Sequence, residues 1–284
     1  MEYVLTILFI IILVSFILFL FWILIQGSYL ILTRYRHFKN KIRLTQSDII
    51  RYESYLTSIS YYQNLSITGK AKFVDRLVSL MINKEFDGRE ELKVMEEMKV
   101  LISASAIQLT FGLKEYHLWH YHTIRVYPKE FYSKIMGLRM KGGTSPGGMI
   151  ALSWKDFKEG YEHPNDKYNL GLHELAHALK LDVTKGDDFD SRFANYLDDW
   201  EGIGRREFEK LRDGRTSFLR AYGGTNMHEF FAVCVEHFFE VPEDFKRELP
   251  DLYNHLCYLL NQNPTNIEND CALPNDFISS VNLF

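Results

Sequence analysis

Two histidines one helical turn apart, with a glutamate beside the first, constrain a chain more than any other feature of this sequence. They lie in Asn169-Leu170-Gly171-Leu172-His173-Glu174-Leu175-Ala176-His177-Ala178-Leu179, an instance of H-E-x-x-H. On an α-helix, positions i and i+4 share a face, so His173 and His177 can grip one metal ion. Glu174 then projects beside the open coordination position, where a carboxylate can take a proton from water held by the metal. The flanks are apolar and helix-forming, and neither Pro nor Gly interrupts Leu172 to Lys185. The pattern predicts a helix and calls for a third ligand from elsewhere in the chain.

A second stretch sets the chain's address. Val4 to Ile25 is 22 residues long and interrupted only by Thr6 and Ser15, enough to cross a bilayer core of about 30 Å. The opening Met1-Glu2-Tyr3 is not a basic leader and no small-residue cleavage site follows, so the run reads as an uncleaved transmembrane anchor. Arg34, Arg36, Lys39, Lys41 and Arg43 follow it closely, which puts the C-terminal side in the cytoplasm. The expected protein is single-pass, with its catalytic domain cytoplasmic. Residues 1–44 hold five basic side chains against Glu2, so the net charge of −4 for the whole chain becomes −8 over residues 45–284. So acidic a domain makes nucleic acid a poor partner. Three cysteines (Cys234, Cys257 and Cys271) form no C-x-x-C pair and suit a reducing compartment.

Periodicity predicts helices over 46–63, 70–82 and 93–111. His122–Tyr127 then alternates as a strand, with Ile135–Met140 weaker and Met149–Trp154 short and apolar. The HELAH helix follows, then a charged helix over 188–211, Met227–Phe239, and Leu249–Leu260. Three helices before a small sheet and several after it make the expected class α+β. The expected domains are 1–44 (anchor and basic segment), 45–264 (the domain that holds HELAH and a small sheet) and 265–284 (C-terminal tail, loosely packed).

A catalytic zinc site takes three protein ligands. The tenth residue after His173 is Val183, which excludes a third histidine at that spacing. The helix 227–239 offers His228, Glu229, Glu236 and His237. Glu229 and Glu236 are seven apart and share a face of an apolar helix, where unpaired carboxylates are costly. Zinc would partner one, and the other could orient a ligand imidazole.

At this point the sequence resembles the Mlc titration factor A family of zinc peptidases. The resemblance rests on HELAH, on Tyr222-x6-Glu229-Phe230-Phe231-Ala232-Val233 with Glu236, and on Phe238-Phe239-x-x-Pro242. Asn83–Phe86, Met95–Val100, Val126–Pro128, Leu152–Trp154 and Pro250–Tyr253 extend it over about residues 67–264. The catalytic part is also similar to that of anthrax lethal factor. The resemblance implies one Zn2+ held by His173, His177 and Glu229 in a gluzincin-type site, with Glu174 as general base and Tyr222 as the oxyanion donor. Glu236 and Asn169 would stand behind the ligands, and Met149, Ile150, Ala151, Leu152 and Ser153 would be the edge strand that pairs with an extended peptide substrate. The sequence departs from the family after the second histidine, where Lys180-Leu181-Asp182 stands two residues late. The resemblance makes 45–264 a zincin-like metallopeptidase domain, and the implied function is hydrolysis of a peptide or protein substrate. A different class, a tethered module that sequesters a transcriptional regulator around structural zinc, is the alternative.

Overall fold

The computed structural model describes residues 2–39, 45–185 and 191–280. The chain divides into two compact units, Met1–Arg43 and Leu44–Phe284. The first holds one helix, α1 (Glu2–Lys39), in which every side chain described between Phe9 and Ile25 is exposed. Among the described residues no helix is long and apolar enough to cross a membrane. What the fold establishes over this run is therefore a helix with an apolar surface. Lys41 and Arg43 of the basic run lie outside the described residues, as do positions 188–190 of the expected charged helix and 281–284 of the tail.

The second unit opens with α2 (Gln46–Leu56), started by a reciprocal cap in which Thr45 and Asp48 each accept the other's amide. The single helix expected over 46–63 breaks at Ile59, which turns extended, is buried, and hands over to α3 (Ser60–Gln63). Then come α4 (Ile67–Met81), β1 (Glu85–Gly88), α5 (Glu96–Thr110), β2 (Thr123–Tyr127) and β3 (Phe131–Ser133). β4 (Leu138–Met140), β5 (Gly142–Ser145) and β6 (Met149–Ser153) follow, and then α6 (Trp154–Glu162), α7 (Leu170–Lys185) and α8 (Ser191–Arg212). A 3-10 turn (Ala221–Gly224) leads to α9 (Met227–Glu240), α10 (Pro242–Glu248), α11 (Pro250–Leu260) and α12 (Phe277–Ser280). The class is α+β.

The sheet runs β1-β2-β6-β5, with β1, β2 and β6 parallel and β5 antiparallel to β6. This corrects the expected substrate edge. Met149, Ile150, Ala151, Leu152 and Ser153 form β6, an inner strand paired on both sides, and all but the first are buried. The edge is β5, Gly142–Ser145, in register so that Thr144 opposes Ile150. The physical reason is coverage. An unbroken apolar run is what a strand needs when both of its faces are packed, whereas Gly-Gly-Thr-Ser suits an edge. The sheet also starts before the third long helix, because β1 pairs with β2 across α5. Of the strand expected over 135–140, only β4 forms. It pairs with β3 through a turn closed by Gly137 at φ +69°.

α5 is the buried axis of the unit, with almost every residue from Met98 to Thr110 inside. α7 contributes Leu172, Leu175, Ala178 and Leu179 to the core, and α9 contributes Phe230 through Val235. α8 is amphipathic, burying Phe193, Tyr196, Leu197 and Trp200 while its charged face is solvated. The tail is fastened more firmly than its composition suggests. The Asp270 carboxylate accepts from the Ser66 amide at 2.6 Å and its hydroxyl at 2.7 Å, and Cys271 and Phe277 are buried.

Candidate metal centre

α7 and α9 pack against each other, and their start signals aim the site. Asn169 caps α7, its Oδ1 accepting from the Leu172 amide at 3.0 Å. Asn226 caps α9, accepting from the amides of His228 and Glu229 at 2.9 and 3.0 Å. The two caps fix the first turns, and those turns carry His173 and Glu229.

Three ligand atoms converge. Glu229 Oε2 lies 3.0 Å from His173 Nε2 and 3.3 Å from His177 Nε2, and the two Nε2 atoms are 3.2 Å apart. Donors about 2.0–2.1 Å from a tetrahedral zinc stand roughly 3.3 Å from one another, so this triangle has the size of one face of such a site. Among the described residues, His173, His177 and Glu229 are the group whose ligand atoms lie close enough together to hold a metal ion.

The protons point the same way. His173 Nδ1 faces Glu236 Oε1 at 2.8 Å. A carboxylate only accepts, so Nδ1 carries the hydrogen and the neutral ring turns the Nε2 lone pair into the triangle. Glu229 Oε2 is buried there without a hydrogen bond of good geometry. Three acceptors facing one another need a cation or a shared proton. With protons alone, burial disfavours the charged imidazole, yet hydrogen bonds to Glu229 and then Glu236 outweigh it and raise His173 to about 10. Burial would raise the Glu229 carboxyl, but the two imidazoles hold it well below the usual range. A divalent ion would replace that proton. The donor set of two imidazoles and one carboxylate fits zinc, with other divalent metals able to use it.

Glu174 is not part of the triangle. It is buried, and Thr144 Oγ1 donates to its Oε2 at 2.9 Å and to its backbone carbonyl at 2.9 Å. Burial pushes its carboxyl up, against the pull of His173, His177 and Thr144. Edge strand β5 comes so close that a Cβ on Gly142 would sit 2.5 Å from Glu174 Oε1. Only glycine leaves that space. Tyr222 stands half exposed on the 3-10 turn, its ring 5.9 Å from that of His173. Burial first, then Glu229 and Glu174, keep its phenol protonated to higher pH than usual.

Glu236 is the hub behind the ligands. It holds His173 through one oxygen and accepts the Asn169 amide at 2.7 Å through the other. It also pairs with Arg220, whose guanidinium lies over the Tyr168 ring at 3.8 Å. Arg220 precedes the turn that carries Tyr222, so one ion pair ties that turn to the carboxylate that orients His173. The sequence reading missed Arg220, Thr144 and Gly142. Asking what neutralises a buried Glu236 would have pointed to a cation near Tyr222. Of the other candidates, His228 has no part in the triangle. His237 is buried with Nδ1 donating to the Val233 carbonyl at 2.8 Å. Asp182 instead accepts the His120 amide at 2.8 Å.

The sequence as a whole agrees with this arrangement. The model of the glucose-regulated metallo-peptidase M90 family matches residues 34–259. The chain belongs to the M90 metallo-peptidase family. Among the relatives of the chain, the protein slr2042 of Synechocystis sp. is 25% identical over 216 residues, covering 70% of this chain and 78% of its own length. Mlc titration factor A of Escherichia fergusonii is 30% identical over 164 residues, covering 51% of this chain and 60% of its own length. The same-named protein of Yersinia pestis is 27% identical over 164 residues, 51% of this chain and 59% of its own length. The chain thus matches about three fifths of each titration factor. Both ligand helices, α7 and α9, lie inside the residues matched by the M90 model.

Proposed function

We propose that this M90 chain is a membrane-anchored zinc metallopeptidase of gluzincin type that hydrolyses peptide bonds with water at the metal. The observation that carries the reading is a closed ligand triangle with a separate buried carboxylate, Glu174, beside it. Bound zinc supplies a Lewis acid that acidifies water and polarises a carbonyl. Glu174, with its carboxyl raised by burial, is suited to accept a proton from water and pass it to the leaving amine near neutral pH. Thr144 holds one of its oxygens in place. Tyr222 is protonated and half exposed, so it can swing to donate to the developing oxyanion, an interaction worth roughly 3–4 kcal/mol. The free edge of β5 offers backbone hydrogen bonds to an extended substrate. Glu236, with Arg220 and Asn169 around it, keeps His173 in the ligating tautomer.

The anchor belongs to the same proposal. The apolar run of residues 4–25, which lies in α1, supports an anchor, and the basic residues after it favour the cytoplasm for the rest of the chain. The decisive experiment is metal content and peptide cleavage of the purified chain beside Glu229→Ala and Glu174→Gln. Near-stoichiometric zinc should be lost in the first variant. The second should keep zinc and lose turnover, and cleavage retained there would falsify the catalytic reading. A second reading has one observation in its favour, the name Mlc titration factor A carried by several relatives. On it, the chain sequesters a transcriptional regulator and zinc is structural. Regulator binding that survives in Glu174→Gln, with no cleavage by the wild type, would select it.

A further inference from the structure

The β3–β4 hairpin carries an exposed surface that the metal centre does not use. Tyr132 is 60% exposed, Ile135 95%, Met136 61% and Leu138 49%. Elsewhere in the second unit exposed large apolar side chains come singly along the chain, as at Ile50, Ile67 and Met95, and single ones need no explanation. Four within seven residues form a patch. Cations frame it. Lys129, Lys134 and Arg139 are all exposed, and among the described residues none of the three has a carboxylate partner. Glu130 is the one acid in the hairpin, and Lys141, just beyond it, is taken up by Asp156 at 2.7 Å. Three cations against the single Glu130 make the hairpin locally positive on a unit whose net charge over residues 45–284 is −8.

A partner must match both features, with an apolar layer for the tip and anionic groups at its margin. A bilayer containing anionic lipid presents these side by side. An extended peptide fits less well. It would pair with β5, whereas Ile135 and Met136 lie in the turn, separated from β5 by the length of β4. We propose that the β3–β4 hairpin docks on an anionic lipid surface, Ile135 and Met136 entering the headgroup–acyl boundary and Lys134 and Arg139 meeting the lipid head groups. The argument uses the second unit alone and does not depend on the anchor.

The test places an environment-sensitive fluorophore at Ile135→Cys in the full chain. Cys234, Cys257 and Cys271 are buried, which directs the label to the new thiol. Asp213→Cys, an exposed site on another part of the unit, is the control. Both are reconstituted in vesicles of equal parts phosphatidylcholine and phosphatidylglycerol, with and without a lipid-borne quencher. The label at 135 should shift to the blue and be quenched, and the label at 213 should do neither. Lys134→Glu with Arg139→Glu should weaken the response by at least about 25-fold, about fivefold for each positive charge removed. A label at 135 as wet as that at 213, or one that responds only when peptide is added, overturns the proposal. Equal quenching in pure phosphatidylcholine overturns its anionic part. Should the chain fail to insert, the anchor reading falls. The same label, with chain and vesicles simply mixed, then decides the hairpin.

Discussion

Gly142→Ala is the sharpest test of how the edge strand and Glu174 work together. The new Cβ would lie 2.5 Å from Glu174 Oε1, 2.7 Å from its Cγ and 2.8 Å from its Cδ. Ordinary contact begins near 3.4 Å, so the whole carboxyl end must retreat by roughly 0.6–0.9 Å. It cannot retreat freely, because Thr144 on the same strand holds Oε2 and the side chain is buried. A displacement of about 1 Å at a reacting group costs on the order of 100-fold in rate, or about 2.7 kcal/mol in the barrier. The ligand triangle does not include Glu174, so zinc should stay. The expected outcome is kcat/KM against a fluorogenic peptide down about 100-fold with metal content unchanged. Gly143→Ala is the internal control. Its Cβ would meet only the mobile end of Met140, at 3.1 Å, and its activity should stay within a few-fold of wild type. If Gly142→Ala cleaves like the wild type with zinc bound, the placement of Glu174 against β5 does not set turnover, and the general-base assignment loses its geometric support.

Three further outcomes follow from the same side chains. Arg220→Ala leaves Glu236 buried without its cation, which should cost about 3–5 kcal/mol in urea unfolding and lower zinc affinity roughly 10–100-fold; unchanged affinity would separate Arg220 from the site. In metal-free protein, His173 is raised to about 10, so its contribution to stability is complete below its ordinary 6.5 and lost as pH rises through 10. Glu229, depressed, contributes above its ordinary 4.5 and loses this only as pH falls toward its low folded value. Zinc replaces the shared proton, so calorimetry in buffers of differing ionisation enthalpy should find about one proton released on binding at pH 8, and no release would show that the metal-free triangle holds no shared proton. Glu240 is buried, and that burial, partly offset by Asn169, pushes its carboxyl up to about 8. Such an acid destabilises the fold increasingly as pH rises from 4.5 to 8, so Glu240→Gln should gain in Tm over wild type across that window and hold the gain above it.

What could be read from the chain and what could not divide along a physical line. The candidate ligands were partly legible because helical geometry turns spacing into direction: His173 and His177 one turn apart, Glu229 and Glu236 two turns apart, each pair on one face, with the choice of Glu229 over Glu236 left to the family resemblance. A strand carries no such information about its neighbours. Met149–Ser153 was read as a strand correctly, yet its place in the sheet depends on crossovers through α5 and on the return of β5, neither written in five residues. The clue was nevertheless present. An apolar run without alternation marks a strand covered on both sides, and that excludes an edge. β1 escaped notice for the opposite reason, since Glu85-Phe86-Asp87-Gly88 is short and charged and is a strand only because β2 stands beside it. Arg220 belongs to the same class as the sheet order, a partner chosen across elements. Where the requirement is local, as in a cap or an i, i+4 pair, sequence suffices. Where it is to neutralise a buried charge such as Glu236, sequence states the debt and only the fold names the residue that meets it.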